Sequence, residues 1–237
     1  MVTHLSATQI RMWVEHCKML WWLSYIGKKK PPRTEQQGLG TRVHKCLEDY
    51  ITLGVYPETE FEEGLIAARA LHLIPMERSI QAEVRLDDLP IKMESPIPMM
   101  GIIDVLCLDG IPLVLDFKTT TSKRWIKKSY QLKDDIQLMI YAVAALVNAP
   151  MADSCDIGHC YIGKREAWAQ TVQIRVSRKE VEDFFERVVI TAMREMEIAG
   201  LCEPFEIERN YDFCSAYGGC KLINACEDVG VAEVFKR

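Results

Sequence analysis

Two aspartates and a lysine are the residues of this sequence whose types and spacing could do chemistry. Asp104 closes an apolar segment that begins at Gly101, and Asp116 and Lys118 follow within fourteen residues. Because residues two apart on a strand share a face, Asp116 and Lys118 would point to the same side. Two carboxylates that face one point can hold a hard divalent cation such as Mg²⁺, and a lysine beside them can stabilise developing negative charge. The pattern indicates metal-assisted phosphodiester hydrolysis; the alternative is an ion pair at a strand end.

The turn between the two strands decides whether the aspartates can meet. The dipeptide Asp109-Gly110 predicts a hairpin turn. A strict two-residue turn would set Asp104 opposite Leu115, and the aspartates would then point to opposite faces of the sheet. A shared site therefore predicts an odd-numbered loop or a β-bulge at this position.

Four further residues could complete such a site, although each has an ordinary structural interpretation. Gln137 and Tyr141 are four apart on a predicted helix and share a face, yet a core tyrosine beside a solvated glutamine would look the same. His44 lies at the edge of an apolar helical stripe, where a histidine is more often a core or surface group than a ligand. Glu83 lies in an alternating strand pattern, in which a solvent-facing glutamate is the simplest interpretation.

The elements that must position these residues follow from hydrophobic periodicity. Apolar stripes at helical spacing predict helices over residues 6–26, 40–53, 61–73, 134–148 and 178–199. Strand-like runs cover residues 80–86, 99–108, 112–118, 155–161 and 169–176. This order predicts a single α/β domain over residues 1–237, with helices on both faces of the sheet.

Composition limits the class of protein. The 237 residues are 49% hydrophobic and 27% charged with a net charge of −5, which excludes a disordered or low-complexity chain. The apolar run 138–147 is too short to span a bilayer, and the first residues lack the pattern of a signal peptide. An odd count of nine cysteines predicts reduced thiols in a cytoplasmic protein with no membrane partner.

A local basic segment stands out from this acidic background. Residues 123–133 contain no acid and five bases, which are Lys123, Arg124, Lys127, Lys128 and Lys133. Such a segment could steer a polyanion such as DNA to one face, and Trp125 and Tyr130 could stack on unpaired bases. Solvated charges and packed aromatic residues are the alternative.

Three cysteines of the tail suggest a metal site. Cys214, Cys220 and Cys226 fall at equal six-residue steps, wider than the pairs typical of zinc sites. Four thiolates can hold a 4Fe–4S cluster, and Cys17 or Cys202 could supply the fourth. Zinc binding and buried reduced thiols remain as alternatives.

Taken in order, the motifs resemble the RecB-like branch of the PD-(D/E)XK nuclease superfamily, and particularly its small stand-alone CRISPR-associated and phage exonucleases. The resemblance extends from about Leu5 to Cys226. It implies a restriction-endonuclease-like core at about 39–176, with a mixed central sheet flanked by helices. It also implies metal-dependent cleavage of DNA that is single-stranded or has free ends.

The resemblance also implies roles for individual residues. Mg²⁺ or Mn²⁺ would be held by His44, Asp104, Asp116, the Phe117 carbonyl and, more weakly matched, Glu83. Lys118 would be the catalytic lysine, supported by Gln137 and Tyr141. Independently of the resemblance, the basic segment predicts the residues that would bind DNA, which are Lys123, Arg124, Lys127, Lys128 and Tyr130.

Iron–sulfur members of this branch imply how the chain ends are joined. Cys17, Cys214, Cys220 and Cys226 would hold a 4Fe–4S cluster as a clasp between the N-terminal segment 5–30 and the C-terminal segment 201–237. Recombination or CRISPR adaptation proteins would be partners, and self-association into homo-oligomers occurs among relatives. The rival functions are a non-catalytic DNA-binding or assembly module on the same fold and a zinc-stapled interaction protein.

Overall fold

The computed structural model describes residues 2–29 and 34–234, with the backbone alone at 216–218 and 230–234. Residues 30 and 235–237 of the predicted terminal segments lie outside the described residues. The α-helices are α1 (Ala7–Arg11), α2 (Lys18–Tyr25), α3 (Glu35–Leu53), α4 (Glu62–Ala68), α5 (Ile136–Asn148), α6 (Arg178–Phe184), α7 (Thr191–Ala199) and α8 (Ile223–Val234). The strands are β1 (Leu5–Ser6), β2 (Ile80–Arg85), β3 (Met99–Met100), β4 (Ile102–Cys107), β5 (Leu113–Thr120), β6 (Ser154–Gly163) and β7 (Ala169–Ser177).

These elements divide into two compact units. The first comprises the described parts of residues 1–32, 95–99 and 186–237, and the second those of 33–94 and 100–185. Among the described residues, no helix has both the length and the apolar character that crossing a bilayer requires.

The second unit is built on a five-stranded mixed sheet with the strand order β2-β4-β5-β6-β7. Adjacent strands are antiparallel except for β5 and β6, which are parallel. The α/β class with a mixed sheet and flanking helices, predicted from the sequence, is confirmed.

The predicted register between β4 and β5 is also confirmed. Val105 pairs with Leu115 and Cys107 with Leu113, and the same register places Asp104 opposite Asp116, one position beyond the last pair of the ladder. The connecting loop spans the five residues 108–112, an odd number. Because side chains opposite each other in a ladder share a face, both aspartates lie on the same side of the sheet.

Helices cover the two faces of this sheet. Buried Leu39, Val43 and Leu47 recur every four residues along α3 and pack with Leu115 and Phe117 of β5 in one hydrophobic core. Side chains alternate along a strand, so Asp116 and Lys118 project from the other face, where α5 packs against β5 and β6.

Capping explains why α3 begins earlier than the predicted residue 40. Thr34 accepts from the Gln37 backbone N–H (3.3 Å), while the Gln37 side chain accepts from the Thr34 N–H (2.8 Å). This capping box satisfies two of the N–H groups that a helix start leaves open. Its polar residues begin α3 at Glu35, five residues before the predicted start.

The first unit contains the N-terminal helices and the tail. The helix predicted over residues 6–26 is divided into α1, a π-helical segment (Met12–His16) and α2, with extended backbone at Cys17 (φ −152°). Trp13 stabilises this segment through a 2.8 Å hydrogen bond to Glu195. The helix predicted over residues 178–199 likewise contains a π-helical segment, at Phe185–Ile190.

An acid-sensitive contribution to stability is expected at the start of α6. Glu180 completes a capping box with Ser177, and its Oε1 lies 2.6 Å from Lys133 Nζ. Lys133 and the Ser177 backbone N–H lower the pKa of Glu180 to about 2. A carboxyl group with a lowered pKa stabilises the fold above its ordinary pKa, and this contribution is lost as the pH falls toward the lowered value.

We therefore expect the free energy of unfolding of the wild type to fall more than that of Glu180→Gln between about pH 5 and about pH 2. The pair is partly exposed and screened by solvent, so the expected difference is about 0.5–1 kcal/mol. Urea unfolding at several pH values measures it. Parallel curves for the two proteins would contradict the expectation.

Candidate active site

Strand β5 presents an aspartate and a lysine to the start of α5. Lys118 Nζ lies 2.6 Å from Asp116 Oδ2 and donates to Gln137 Oε1 (2.9 Å). Gln137 Nε2 in turn donates to Asp116 Oδ1 (2.7 Å) and lies 3.3 Å from the Tyr141 hydroxyl. Gln137 therefore fixes both charged groups, and the structure brings together four residues singled out in the sequence.

Asp104 on β4 forms a second group with residues of α3 and β2. Its Oδ2 accepts the Phe117 backbone N–H (2.6 Å) and lies 3.4 Å from His44 Nδ1. One ligand atom each from His44, Glu83 and Asp104 lie within 4.8 Å of one another. The two carboxylates and the imidazole can thus converge on a single ion.

Glu83 has an unusual backbone for a strand residue. Its φ is +51°, in the left-handed region that residues other than glycine rarely adopt. It lies between Ala82 and Val84, whose partners Val105 and Ile103 flank Asp104. The strained residue is therefore next to the carboxylate that its side chain approaches, as is common at functional sites.

The pKa values of Asp104 and Asp116 shift in opposite directions. Burial and the charge of Asp116 raise the pKa of Asp104, and burial and the charge of Asp104 raise the pKa of Glu83. Burial alone would also raise the pKa of Asp116, which is 2% exposed, but Lys118 and a second cationic neighbour outweigh burial and lower it. The repulsion between Asp104 and Glu83 is the kind that a bound cation offsets.

These groups open onto a cleft of about 550 Å³, whose lining includes His44, Glu83, Asp104, Phe117 and Lys118. Carboxylate oxygens suit Mg²⁺ and Mn²⁺, and an imidazole adds a nitrogen ligand. The donor set in the cleft therefore fits a divalent cation. Asp116 is already satisfied by Lys118 and Gln137, so its contribution to such a site depends on Lys118 moving aside.

The second cationic neighbour of Asp116 is His159, which the sequence analysis missed. It lies on β6 directly opposite Asp116, and its Nδ1 and Nε2 approach the carboxylates of Asp116 (3.2 Å) and Asp135 (3.0 Å). Burial would lower the pKa of His159, but its hydrogen bonds to the two aspartates outweigh burial and raise it. An apolar strand with one histidine gave no local signal for this contact.

The predicted DNA-binding residues are not equivalent in the structure. Lys123 and Arg124 lie over the rings of Trp168 and Trp125 at 5.4 and 4.7 Å, and Lys128 is exposed. The Tyr130 side chain is also exposed. Lys127 instead forms an ion pair, with its Nζ 2.8 Å from Asp135 Oδ2.

The four predicted cluster cysteines line one cavity within the first unit. Cys17, Cys214, Cys220 and Cys226 surround a space of about 190 Å³, with apolar side chains from α2 and the tail completing its lining. Cys202, the rival fourth ligand, donates instead to the Ile198 carbonyl. All nine cysteines of the chain are free thiols.

Two observations fit an anionic group in this cavity. The Asn210 backbone N–H points at Cys17 Sγ (3.4 Å). Arg209 also lines the cavity, and its Nε and Nη2 are buried without a hydrogen-bond partner among the described residues. Unpaired buried N–H groups are costly, and a thiolate-ligated cluster would supply acceptors for them.

A mixed five-stranded sheet with helices on its faces, carrying two aspartates and a lysine on adjacent strands, defines an α/β protein of the restriction-endonuclease-like class. Residues 4–227 match the sequence model of the PD-(D/E)XK nuclease superfamily, and the chain belongs to that superfamily. This membership supports a nuclease activity, that is, the hydrolysis of DNA.

One solved structure supports this fold. An exonuclease candidate from Eubacterium rectale matches with a TM-score of 0.60 at 14% identity, covering 95% of this chain and 88% of that one. The protein SSO0001 matches with a TM-score of 0.34 at 12% identity, covering 81% of this chain and 77% of that one. No curated protein sequence matches significantly.

Proposed function

We propose that the protein is a metal-dependent deoxyribonuclease of the RecB-like branch, acting as an exonuclease on DNA that is single-stranded or has free ends. The proposal rests on Asp104 and Lys118, which line one cleft, and on Asp116, whose carboxylate lies 2.6 Å from Lys118 Nζ. The exonuclease candidate that shares the fold supports the mode of action.

The residues divide the reaction between them. His44, Glu83 and Asp104 would hold Mg²⁺ or Mn²⁺, with Asp116 and the Phe117 carbonyl as further ligands. When bound, the cation would activate water and neutralise charge on the phosphate. Lys118 lines the same cleft, and its ammonium would stabilise the developing negative charge. Gln137 and Tyr141 keep Lys118 and Asp116 in place.

A cleavage assay tests the proposal. Purified protein is incubated with linear single-stranded, linear double-stranded and circular DNA, in Mg²⁺, in Mn²⁺ and with a chelator. We expect metal-dependent loss of linear DNA and survival of the circles. Metal binding without cleavage of any substrate would contradict catalysis and favour a DNA-binding or assembly module.

The exposed part of the basic segment would track the DNA backbone. Replacing Lys123, Arg124 and Lys128 with methionine is expected to weaken binding and to reduce the slope of log affinity against log salt by about 2–3, because each lost phosphate contact releases about one counterion fewer. Fluorescence anisotropy in Ca²⁺ measures both. Lys179→Met, at an exposed lysine of α6, serves as the control, and an unchanged slope in the triple variant would rule out these contacts.

We further propose that Cys17, Cys214, Cys220 and Cys226 hold a 4Fe–4S cluster that stabilises the first unit. Cys214→Ser is expected to lose iron and the visible charge-transfer absorption. Cys202→Ser is expected to keep both, because the Cys202 thiol donates a hydrogen bond to the Ile198 carbonyl and does not line the cavity. Iron and zinc analysis of anaerobically purified protein measures the outcome. Zinc in place of iron would favour a zinc staple, and no metal would favour reduced thiols.

The setting follows from the proposed chemistry. We place the protein in a reducing cytoplasm, where cysteines stay out of disulfides and remain available to a metal cluster. End processing of DNA would serve recombination, repair or CRISPR spacer processing, with proteins of those pathways as partners and with homo-oligomers among the assemblies to be tested by light scattering.

A further inference from the structure

A chain of buried polar groups extends behind the proposed catalytic residues. His159 is 1% exposed and lies on β6 opposite Asp116. Its Nδ1 lies 3.2 Å from Asp116 Oδ2 and its Nε2 lies 3.0 Å from Asp135 Oδ2. Both neighbours are carboxylates that accept hydrogen bonds, so both ring nitrogens donate. One imidazole therefore links the two buried aspartates.

Asp135 connects this chain to the helix that bears Gln137. It is 5% exposed, and its Oδ1 caps α5 by accepting the Leu138 N–H (3.0 Å). Gln137 returns to Asp116 Oδ1 (2.7 Å). Asp116, His159, Asp135 and the first turn of α5 thus form a closed ring that holds both oxygens of Asp116.

Lys127 attaches the basic segment to this ring. Its Nζ lies 2.8 Å from Asp135 Oδ2, and its backbone N–H donates to the Tyr161 hydroxyl (3.1 Å). Tyr161 packs edge-on against His159, with ring centroids 5.6 Å apart. Lys127 is therefore held by the protein rather than presented to a phosphate.

We propose that His159 is a positioning residue that fixes the carboxylate of Asp116 for metal binding, and that Asp135 and Lys127 support it from behind. This inference rests on the proposed nuclease function. Outer groups that hydrogen-bond a metal ligand set its orientation, and losing one typically costs about 10- to 100-fold in metal affinity or activity.

Two substitutions of similar size separate positioning from simple packing. An asparagine amide reaches the place of Nδ1, so His159→Asn can keep the bond to Asp116 and lose the bond to Asp135. A glutamine amide reaches the place of Nε2, so His159→Gln can keep Asp135 and lose Asp116. Each variant removes one hydrogen bond and one positive charge, and a purely structural histidine would respond equally to both.

The readout is Mn²⁺ affinity, measured on the free protein from the electron paramagnetic resonance signal of unbound Mn²⁺, with urea unfolding as the folding control. We expect a loss of about 10- to 100-fold for His159→Gln and of no more than about fivefold for His159→Asn. Equal affinities in the two folded variants would overturn the inference. If the wild type degrades DNA in that case, the nuclease function still stands, whereas a wild type that neither binds Mn²⁺ nor cleaves removes the function itself.

A second pair of variants keeps the inference testable if the histidine variants do not fold. Asp135→Asn retains the cap of α5, since asparagine caps as well as aspartate, but it weakens the hold on His159. We expect its Mn²⁺ affinity to fall by about three- to fivefold relative to Asp134→Asn, at the exposed neighbouring aspartate. The same affinity in both variants would contradict the proposed support.

Discussion

Asp104→Asn is expected to lower the nuclease rate by about 10²- to 10³-fold or more and to weaken Mn²⁺ binding in parallel. Asp104 is 8% exposed, and its Oδ2 is the atom that approaches His44. The amide removes the negative charge from the group formed with Glu83, and it leaves one oxygen in place of two to accept the Phe117 N–H or to bind a cation. The substitution therefore weakens the metal site without changing its volume.

Mn²⁺ titration together with initial cleavage rates measures this effect. Asp109→Asn, in the exposed loop between β4 and β5, is the matched control and should behave as the wild type. An Asp104→Asn protein that is folded and cleaves within about threefold of the wild type would place the metal site elsewhere.

Lys118→Ala is expected to lower the rate by about 10²- to 10³-fold while leaving Mn²⁺ affinity unchanged or stronger. The reason is that the Lys118 ammonium lies 2.6 Å from Asp116 Oδ2, where it competes with any other cation for that carboxylate. Removing it frees Asp116 for the metal, but it also removes the positive charge that would stabilise the transition state.

The opposite responses of rate and affinity distinguish Lys118 from the metal ligands. Lys179→Ala, on the exposed face of α6, controls for loss of a lysine. If Lys118→Ala lost Mn²⁺ affinity and rate together, its role would be to organise the metal site rather than to stabilise charge.

The sequence predicted the parts of the site that depend on local spacing. The two-residue spacing of Asp116 and Lys118 and the four-residue spacing of Gln137 and Tyr141 place each pair on one face, and the structure joins the pairs. The odd loop between β4 and β5 followed from requiring Asp104 to face Asp116.

The parts that depend on distant pairing were not predictable from the sequence. His159 meets Asp116 across parallel strands, and no local pattern specifies the register of a crossover connection. The left-handed backbone of Glu83 has no sequence signal either, because glycine or asparagine would have been the expected residue. The sequence contains the capping residues Thr34 and Gln37 before α3. The first turn of that helix has a weak apolar pattern, so periodicity did not predict that the helix starts there.

The sheet has a consequence for the order in which the molecule folds. The hairpin of β4 and β5 closes a loop of five residues, whereas the single parallel pairing joins Asp116 to a partner 43 residues away. Since the entropy lost on closing a loop grows with its length, the two acidic strands should meet before their imidazole counter-charge arrives. In the nascent hairpin Lys118 would then be the counter-charge to both aspartates, and divalent ions in the refolding buffer should speed its formation.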